Sequence, residues 1–290
     1  MTKLSYKVLD KIISNKLTSH EINLIICISR FQKDTGEIIG VSYKKVCEET
    51  GMSIQKFYDA LHSLCDKNII VYEKRSYWDI DITILDNDFS DNNYSDGYIN
   101  TNHHIFYMDE FKELKAGAKI LAMLLMKVTF TCRNSFQVGI KKFRDKYAGL
   151  MQISKRTLLL YLNKLKRFFS IGIKDKKYFI TPKSIIYNDT RKKTESELLN
   201  NQQIMVAIKR NRIKDATEQD IKDTLNVLNQ YNPYLKENKN FSIINTINLS
   251  IQKLNDKILD KRKWKRKLYP KFIHILIQGE LGLTNKVIVS

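Results

Sequence analysis

The sequence Glu49-Thr50-Gly51-Met52-Ser53 lies between two short helical patterns and decides the fold class. Gly51 can adopt the positive φ that ends a helix, and Ser53 can cap the helix that follows. We therefore predict one helix over Tyr43–Thr50 and a second over Ile54–Asp66. Two helices joined by such a turn are typical of a helix-turn-helix motif.

The patterns on either side of this turn predict a complete winged helix-turn-helix unit. A helix that starts at Ser19 and a short strand precede the motif, Ser42 caps its first helix, and two strands joined by a basic turn follow it. The ranges are Ser19–Gln32, Glu37–Val41, Ile69–Glu73, Lys74–Ser76 and Tyr77–Leu85. Helical spacing points four residues of the second motif helix toward the core, namely Ile54, Phe57, Leu61 and Leu64. Tyr77 and Trp78 are predicted as core residues rather than base-stacking platforms.

A second copy of the unit follows a polar linker at Asp86–Asn102. It starts with a predicted helix over Met108–Thr131, and Val138–Phe143 matches Val41–Val46 at a shift of 97 residues. Ser154 matches Ser53 at a shift of 101, and we assign the four extra residues to a longer turn, Ala148–Met151. Leu158, Leu162 and Leu165 then replace Phe57, Leu61 and Leu64. A hairpin closes the copy, with strands Ile171–Lys174 and Tyr178–Thr181 around Asp175-Lys176-Lys177 and an end at Pro182.

The rest of the chain predicts a helical C-terminal region. The three helices are expected over Gln203–Arg212, Thr217–Tyr231 and Phe241–Asp260, with a break at Asn232-Pro233. The last helix carries an apolar stripe that suits the chain's own core or a partner helix, formed by Ile244, Ile247, Ile251, Leu254 and Ile258. The expected fold is mainly α with small β-hairpin wings (α+β). Its parts are a first unit at 1–86, a linker at 87–104, a second unit at 105–187 and the helical basic region at 188–290.

The charge of the chain is large and unevenly distributed. It has 50 Lys and Arg against 31 Asp and Glu, which gives a net charge of +19. Residues 1–100 hold 12 basic and 15 acidic side chains, residues 101–200 hold 21 and 8, and residues 201–290 hold 17 and 8. A polyanion such as double-stranded DNA is the natural partner of such a field. Anionic lipid is the weaker alternative, because surface binding requires a long helix with one apolar face.

The second unit supplies most of the candidate DNA contacts. Its second motif helix begins Ser154-Lys155-Arg156-Thr157, and base contacts are made near the start of such a helix. We expect Arg156 to contact a guanine, Lys155 or Thr157 a phosphate, and the wing lysines the neighbouring backbone. The candidates in this unit are Lys141, Lys142, Lys155, Arg156, Thr157, Asn163, Lys164, Lys176 and Lys177.

The first unit and the C-terminal region add further candidates. In the first unit they are Lys44, Lys45, Lys56, Lys74 and Arg75, and the acidic Glu48, Glu49, Asp59 and Asp66 oppose them. The first unit is therefore also a candidate for dimerisation or protein contact. The C-terminal candidates form one run around a tryptophan, Lys261, Arg262, Lys263, Trp264, Lys265, Arg266 and Lys267. Such a run suits a phosphate-binding arm, and the alternative is an exposed helix face with Trp264 packed inward.

The sequence carries no catalytic constellation that we recognise. There is no phosphate-binding loop for ATP, and the five histidines form no nickase or recombinase motif. The four cysteines have no zinc-ligand spacing. We therefore expect no enzyme activity, no cofactor and no metal. No segment has the length of a signal peptide or a membrane span, so a reduced, cytoplasmic location is expected.

The two turns, Gly51-Met52-Ser53 and Met151-Gln152-Ile153-Ser154-Lys155-Arg156, together with the order of the elements, resemble the tandem winged-helix initiators of bacterial plasmids. The resemblance covers Thr18–Tyr187. It implies binding to repeated origin sequences and recruitment of host replication proteins. A transcriptional regulator built from the same modules, or a scaffold of a DNA-bound complex, remains open from the residues themselves.

Overall fold

The computed structural model describes residues 2–76, 79–90, 96–132, 135–187, 195–237 and 241–282. The chain forms two compact units, residues 1–192 and 193–290. Within the described ranges it is mainly helical with three small antiparallel sheets, which confirms the coarse fold prediction. No helix in these ranges is long and apolar enough to cross a membrane.

The first half of unit 1 contains the predicted helix-turn-helix elements. In chain order the elements are β1 (Lys3–Ser5), α1 (Tyr6–Ser14), α2 (Ser19–Ile28), β2 (Glu37–Val41), α3 (Tyr43–Thr50), α4 (Ile54–Asp66), β3 (Ile70–Ser76) and β4 (Asp79–Ile84). Gly51 has φ +70° and ends α3 as predicted, and Ser53 Oγ accepts the Lys56 amide at 3.3 Å. Phe57, Leu61 and Leu64 are buried.

Helix α2 begins at Ser19 as predicted, and Thr18 caps it through a reciprocal capping box with Glu21. Three other details of this half, starting with the end of α2, were predicted wrongly. The helix then ends at Ile28, and a 3-10 turn covers Ser29–Phe31. Ser42 precedes α3, but its side chain makes no capping hydrogen bond. Ile54 is 50% exposed, since it is the first residue of α4 and lies outside the core face.

The hairpin of this half also differs from the prediction. Lys74, Arg75 and Ser76 belong to β3, which pairs with β4 from Ile70–Ile84 to Ser76–Asp79. They are therefore strand residues and not a turn. Tyr77 and Trp78, which we predicted to be core residues, lie outside the described residues.

The segment predicted as a linker is partly built into unit 1. Tyr98–Asn100 forms β5, which pairs with β1 so that Leu4 faces Ile99. Asn87 is buried, its Oδ1 accepts the Ser5 amide at 2.7 Å, and its Nδ2 donates to Lys3 O at 3.0 Å. Neither β1 nor α1 was predicted. Residues 91–95 of the same segment lie outside the described ranges.

The second half of unit 1 repeats the element order of the first. Its elements are α5 (Asp109–Lys112), α6 (Ala116–Thr131), β6 (Phe136–Gly139), α7 (Ile140–Met151), α8 (Lys155–Lys164), β7 (Phe169–Lys174) and β8 (Lys177–Pro182). The strand order β6-β8-β7 corresponds to β2-β4-β3. The helix predicted over Met108–Thr131 is interrupted at residues 113–115, where α5 ends and Lys115 starts α6. The hairpin turn consists of Asp175 and Lys176 alone, both at positive φ, because Lys177 pairs with Lys174.

The four extra residues of the second half extend a helix and do not lengthen a turn. Helix α7 has 12 residues against 8 in α3, which is about one additional helical turn. Ala148–Met151 is therefore helical, with Tyr147 and Ala148 buried. Gln152, at φ +51°, takes the left-handed position that Gly51 holds in the first half.

A buried lysine joins the two halves of unit 1. Lys119 on α6 is fully buried, and its Nζ donates to Ser19 Oγ at 2.6 Å, Asn23 Oδ1 at 2.6 Å and Lys112 O at 2.7 Å. Ser19 O is a fourth acceptor at 3.2 Å. Since Ser19 and Asn23 belong to α2, this side chain connects α2 of the first half to α6 of the second. Burial lowers the pKa of Lys119 to about 7, and the oxygen acceptors oppose that shift.

Unit 2 is a small helical body. Its helices are α9 (Glu195–Arg210), α10 (Glu218–Glu237), α11 (Ile243–Asn255) and α12 (Pro270–Glu280). Helix α9 packs on α10 and α11, and α12 packs on the same two helices. The buried residues at the contacts include Ile204, Leu228, Ile247, Ile251, Ile273 and Ile277.

The predicted ends of the helices in unit 2 need correction. Helix α10 continues through Asn232-Pro233, so the break predicted there is wrong. Helix α11 ends at Asn255, five residues before the predicted end at Asp260. Leu254 in the predicted stripe is 44% exposed, and Asn255 is buried beside it. Helix α12 was not predicted.

Candidate nucleic-acid interface

Helix α8 presents the same kind of cap and core face that the sequence predicts. Ser154 Oγ accepts the Thr157 amide at 3.0 Å, which starts the helix at Lys155. Leu158, Leu162 and the following Leu165 are buried. Tyr161 also packs inward, against Gly117 of α6. Its ring lies so close to this glycine that a Cβ at position 117 would be only 2.4 Å from it. The remaining face of α8 is directed to solvent.

The solvent face of α8 combines positive charge with one apolar residue. Arg156, Asn163 and Lys164 are exposed, and so is Leu160, with 58% of its surface accessible. Residues 156, 160, 163 and 164 have the spacing of one helical face. Among the described residues neither Arg156 nor Lys164 has an ion-pair partner. This face therefore offers long donors near the start of the helix and an apolar contact one turn later.

Two candidates at the start of α8 have partners within the protein. Lys155 Nζ lies 2.6 Å from Asp145 Oδ1 on α7, and this bond lowers the pKa of the Asp145 carboxyl. Thr157 Oγ1 lies 2.9 Å from Ser154 Oγ. Both side chains are thus oriented by neighbours. The positive charge that Lys155 offers to a phosphate is reduced by Asp145.

The turn between β7 and β8 and the start of α7 form a basic concavity. It has a volume of about 680 Å³ and is lined by Gly139, Ile140, Lys141, Lys142, Asp145 and Lys176. The Ile140 amide donates to Lys176 O at 3.0 Å, which fixes the turn against the helix start. The free amide groups of a helix start attract anions, and Lys141, Lys142 and Lys176 are all exposed beside them.

These features are neighbours in space. Asp145 lines the concavity and also binds Lys155, so the start of α8 lies next to the start of α7 and to the β7-β8 turn. We use the term basic surface for the exposed cations of this region, which are Lys141, Lys142, Arg156, Lys164, Lys176 and Lys177. Only one carboxylate, Asp145, lies among the residues that line the concavity.

The corresponding cations of the first half are more strongly compensated. Arg75 Nε lies 3.1 Å from Asp81 Oδ2, and an Arg75 terminal nitrogen lies 2.9 Å from Glu73. Lys74 lies 5.7 Å from the centre of the Tyr58 ring, and Lys45 lies at the same distance from that of Phe31. The structure thus gives this half fewer uncompensated charges than its sequence suggests.

Two further candidates of the first half are exposed. Lys44 stands at the start of α3, and Lys56 stands in the first turn of α4. Next to Lys56, Asp59 Oδ1 accepts a hydrogen bond from the side-chain Nε2 of Gln55 at 2.7 Å. Glu49 was predicted to repel phosphate, but it forms an ion pair with the buried Arg30. Its charge is therefore balanced inside the protein.

The C-terminal basic run is an irregular segment held at two points. Lys261–Lys263 forms a 3-10 turn, and Trp264 Nε1 donates to Ile258 O at 3.0 Å. The buried Asn255 bonds both the amide and the carbonyl of Lys265, at 2.8 and 3.0 Å. The run is therefore not a helix face, and most of its cations are exposed.

The sequence analysis missed two arginines that lie near this run. Arg210 and Arg212, at the end of α9, share a polar concavity with Trp264 and Arg266. The signal for them was weak, since 54 residues separate Arg212 from Arg266 in the chain. Only the packing of α9 on α11 brings them together.

Among the residues that the structure describes, no group of three or more His, Cys, Asp or Glu side chains is placed to hold a metal ion.

Comparison of the chain with models of protein families, with curated proteins and with solved structures found no match. Function is therefore inferred from geometry and charge.

Proposed function

We propose that the chain is a sequence-specific, double-stranded DNA-binding protein with two winged helix-turn-helix units in residues 1–192. The support is the repeated order of a strand, two helices and a hairpin, with the same strand order in both sheets. In this proposal α4 and α8 are the recognition helices, and the β3-β4 and β7-β8 hairpins are the wings.

The basic surface is the observation that carries the proposal. In the docked complex α8 enters the major groove, where Arg156 meets a guanine edge and Leu160 a thymine methyl group. Lys141 and Lys142 at the start of α7 hold one phosphate strand. Lys176 and Lys177 at the wing reach the neighbouring backbone or minor groove. Phosphate contacts fix the orientation, and Arg156 supplies the base reading.

The first half has a different role in this proposal. Its recognition helix offers one exposed cation, Lys56, and Arg75 is compensated by two carboxylates. It therefore adds weaker DNA contacts or serves as a contact for a second copy or another protein. The basic run Lys261–Lys267 in unit 2 adds further phosphate contacts without sequence preference.

The biological role that we propose is replication initiation of a plasmid-like element in the cytoplasm, and a transcriptional regulator is the alternative. Two recognition helices in one chain suit a repeated DNA site, which is what an initiator binds. Selection of binding sites from a random duplex pool, followed by a footprint on the DNA around the gene, separates the two roles. An array of sites supports an initiator, whereas one site over a promoter supports a regulator.

Duplex binding itself is tested by fluorescence anisotropy with the full chain and a mixed-sequence duplex. We expect binding at low salt that weakens steeply as salt rises, because several phosphates release counterions. No binding at low salt would remove the proposal and leave the scaffold role.

A further inference from the structure

Unit 2 contains a concavity whose lining does not resemble that of the basic surface. It has a volume of about 370 Å³, and its lining includes Arg210, Arg212, Asn248, Gln252, Trp264 and Arg266. No carboxylate is among the residues that line it. With Asn211, which also lines it, three guanidinium groups, three side-chain amides and one indole share a space within the size range of small-ligand sites.

The concavity is held in shape by hydrogen bonds on both sides. Asn211 Nδ2 donates to Asn248 Oδ1 at 2.6 Å and to Ala207 O at 2.8 Å, which ties the end of α9 to α11. On the other side, Trp264 Nε1 is bonded to Ile258 O at 3.0 Å, and Asn255 holds the Lys265 backbone. The indole is therefore fixed by one edge in the wall of the site.

We propose that this concavity binds single-stranded nucleic acid, with one base stacked on Trp264 and its flanking phosphates at Arg212 and Arg266. Every base has a π-face, and an aromatic platform next to cations is the chemistry that binds single strands without sequence preference. Arginine also binds phosphate through two parallel donors. The side-chain amides of Asn248 and Gln252 contact the edge of the stacked base. This site is separate from the duplex surface proposed for α8.

Two features favour a strand over a free nucleotide or a duplex. The exposed Lys261, Lys263, Lys265 and Lys267 extend the positive charge along the chain beyond the concavity, and only a polymer with successive phosphates uses them all. In a duplex the base faces are stacked inside the helix, so they do not reach an indole set in a wall.

Tryptophan fluorescence tests the stacking directly. The chain has two tryptophans, so a Trp78→Phe variant leaves Trp264 as the only indole. Titration with a twelve-residue oligothymidylate should quench its emission at saturation, whereas thymidine monophosphate and a duplex of equal length should quench it only at much higher concentration. Absence of quenching by the oligonucleotide would overturn the proposal. Equal quenching by the duplex would also overturn it, because the site would then respond to charge alone.

Variants of the full chain separate this site from duplex binding. Arg266→Gln and Trp264→Leu should each weaken anisotropy-detected binding of the oligothymidylate by about fivefold or more, the effect of losing one stacking or phosphate contact. Lys209→Gln removes one exposed charge next to the site but does not line it, so it should change this affinity by less than about twofold. Duplex affinity through α8 is measured in the same variants. Because the run Lys261–Lys267 also contributes duplex phosphate contacts in the proposed function, duplex affinity should fall slightly in these variants, and a clearly larger loss of oligothymidylate affinity than of duplex affinity supports the site. If Arg266→Gln and Lys209→Gln behave alike, the concavity is not a site.

Discussion

Replacement of Lys119 by methionine should change how the stability of unit 1 depends on pH. Lys119 is fully buried, and its Nζ is surrounded by oxygens of Ser19, Asn23 and Lys112. Methionine fills a similar volume but donates no hydrogen bond. The variant loses the donor to Asn23 Oδ1 and removes one ionisable group from the contact between α2 and α6. His20 on α2 is a second such group, and burial together with the charges of Lys56 and Lys119 lowers its pKa.

The magnitude follows from the pKa of Lys119, which burial lowers to about 7. In the unfolded chain a lysine titrates near 10.4. Between these two values the folded protein has released the proton and the unfolded chain still holds it, so unfolding takes up a proton and rising pH favours the folded state. The gain is about 1.4 kcal/mol per pH unit, or about 3 kcal/mol from about pH 7 to 9. Below pH 7 both states hold the proton, and the gain is absent.

Urea unfolding at several pH values measures this difference. A Trp264→Phe background leaves Trp78 as the only indole, and Trp78 belongs to residues 1–192. The stability of the Lys119 protein relative to Lys119→Met should rise between pH 7 and 9, while tyrosine ionisation is common to both and cancels. Lys115→Met, at an exposed position just before α6, should show no such rise. A constant difference across this range would refute the reasoning, because it would mean that the oxygens keep Lys119 charged.

The other predictions concern single positions. Arg156→Ala should cost about 1–3 kcal/mol of discrimination at one base pair, whereas Lys56→Ala should cost less, as measured by anisotropy with selected and singly substituted duplexes; the reverse order would exchange the roles of the two halves. Gln152→Gly should raise the free energy of unfolding by about 0.5–1 kcal/mol, because Gln152 lies at φ +51°. Gly51→Ala, at φ +70° and with open space around its Cβ, should lower it by about 1 kcal/mol, and urea unfolding of both variants checks the pair. Lys176→Gly should leave stability unchanged or higher, since Lys176 lies at φ +56°, and should lower duplex affinity with a smaller salt slope. An unchanged duplex affinity would contradict the proposed contact between Lys176 and the DNA.

Local signals in the sequence predicted the motif helices well. Ser53 and Ser154 were predicted as caps, and both hydroxyls accept the expected amide. These predictions depend on a few adjacent residues and on apolar spacing, both of which are visible in the sequence. The turn at Ala148–Met151 was predicted wrongly because the four extra residues of the second copy were assigned to the turn, where Gly149 lies. The helix instead continues through it, since a glycine inside a helix costs only about 1 kcal/mol and Tyr147 and Ala148 are buried there.

Long-range contacts were not predictable in the same way. Strands β1 and β5 have three residues each, and Leu4 and Ile99 are 95 positions apart in the chain. Such short strands give no clear alternation of apolar and polar residues. The buried Asn87, which bonds Lys3 and Ser5 of β1, reads as an ordinary linker residue in the sequence.

The candidate site was predicted as a list of cations and not as a surface. The sequence does not reveal that Asp145 compensates Lys155 or that Asp81 compensates Arg75, because both pairs depend on tertiary packing. Arg212 and Arg266 are also far apart in the sequence, although they line the same concavity in the structure. Identifying the cations that remain free requires the arrangement of all the elements of a unit.

The central claim is that the second half of unit 1 binds duplex DNA, and two matched variants test it. One replaces Lys141, Lys142, Lys176 and Lys177 by glutamine, and the other replaces Lys44, Lys45, Lys74 and Arg75 by glutamine. The measurement is duplex affinity of the full chain against salt concentration, by fluorescence anisotropy. The first variant should bind more weakly, with a salt slope smaller by about 3 to 4, because each lost phosphate contact removes about 0.9. The second should change the slope by clearly less. Equal effects of the two variants, or a larger effect of the second, would contradict the proposed division between the two halves.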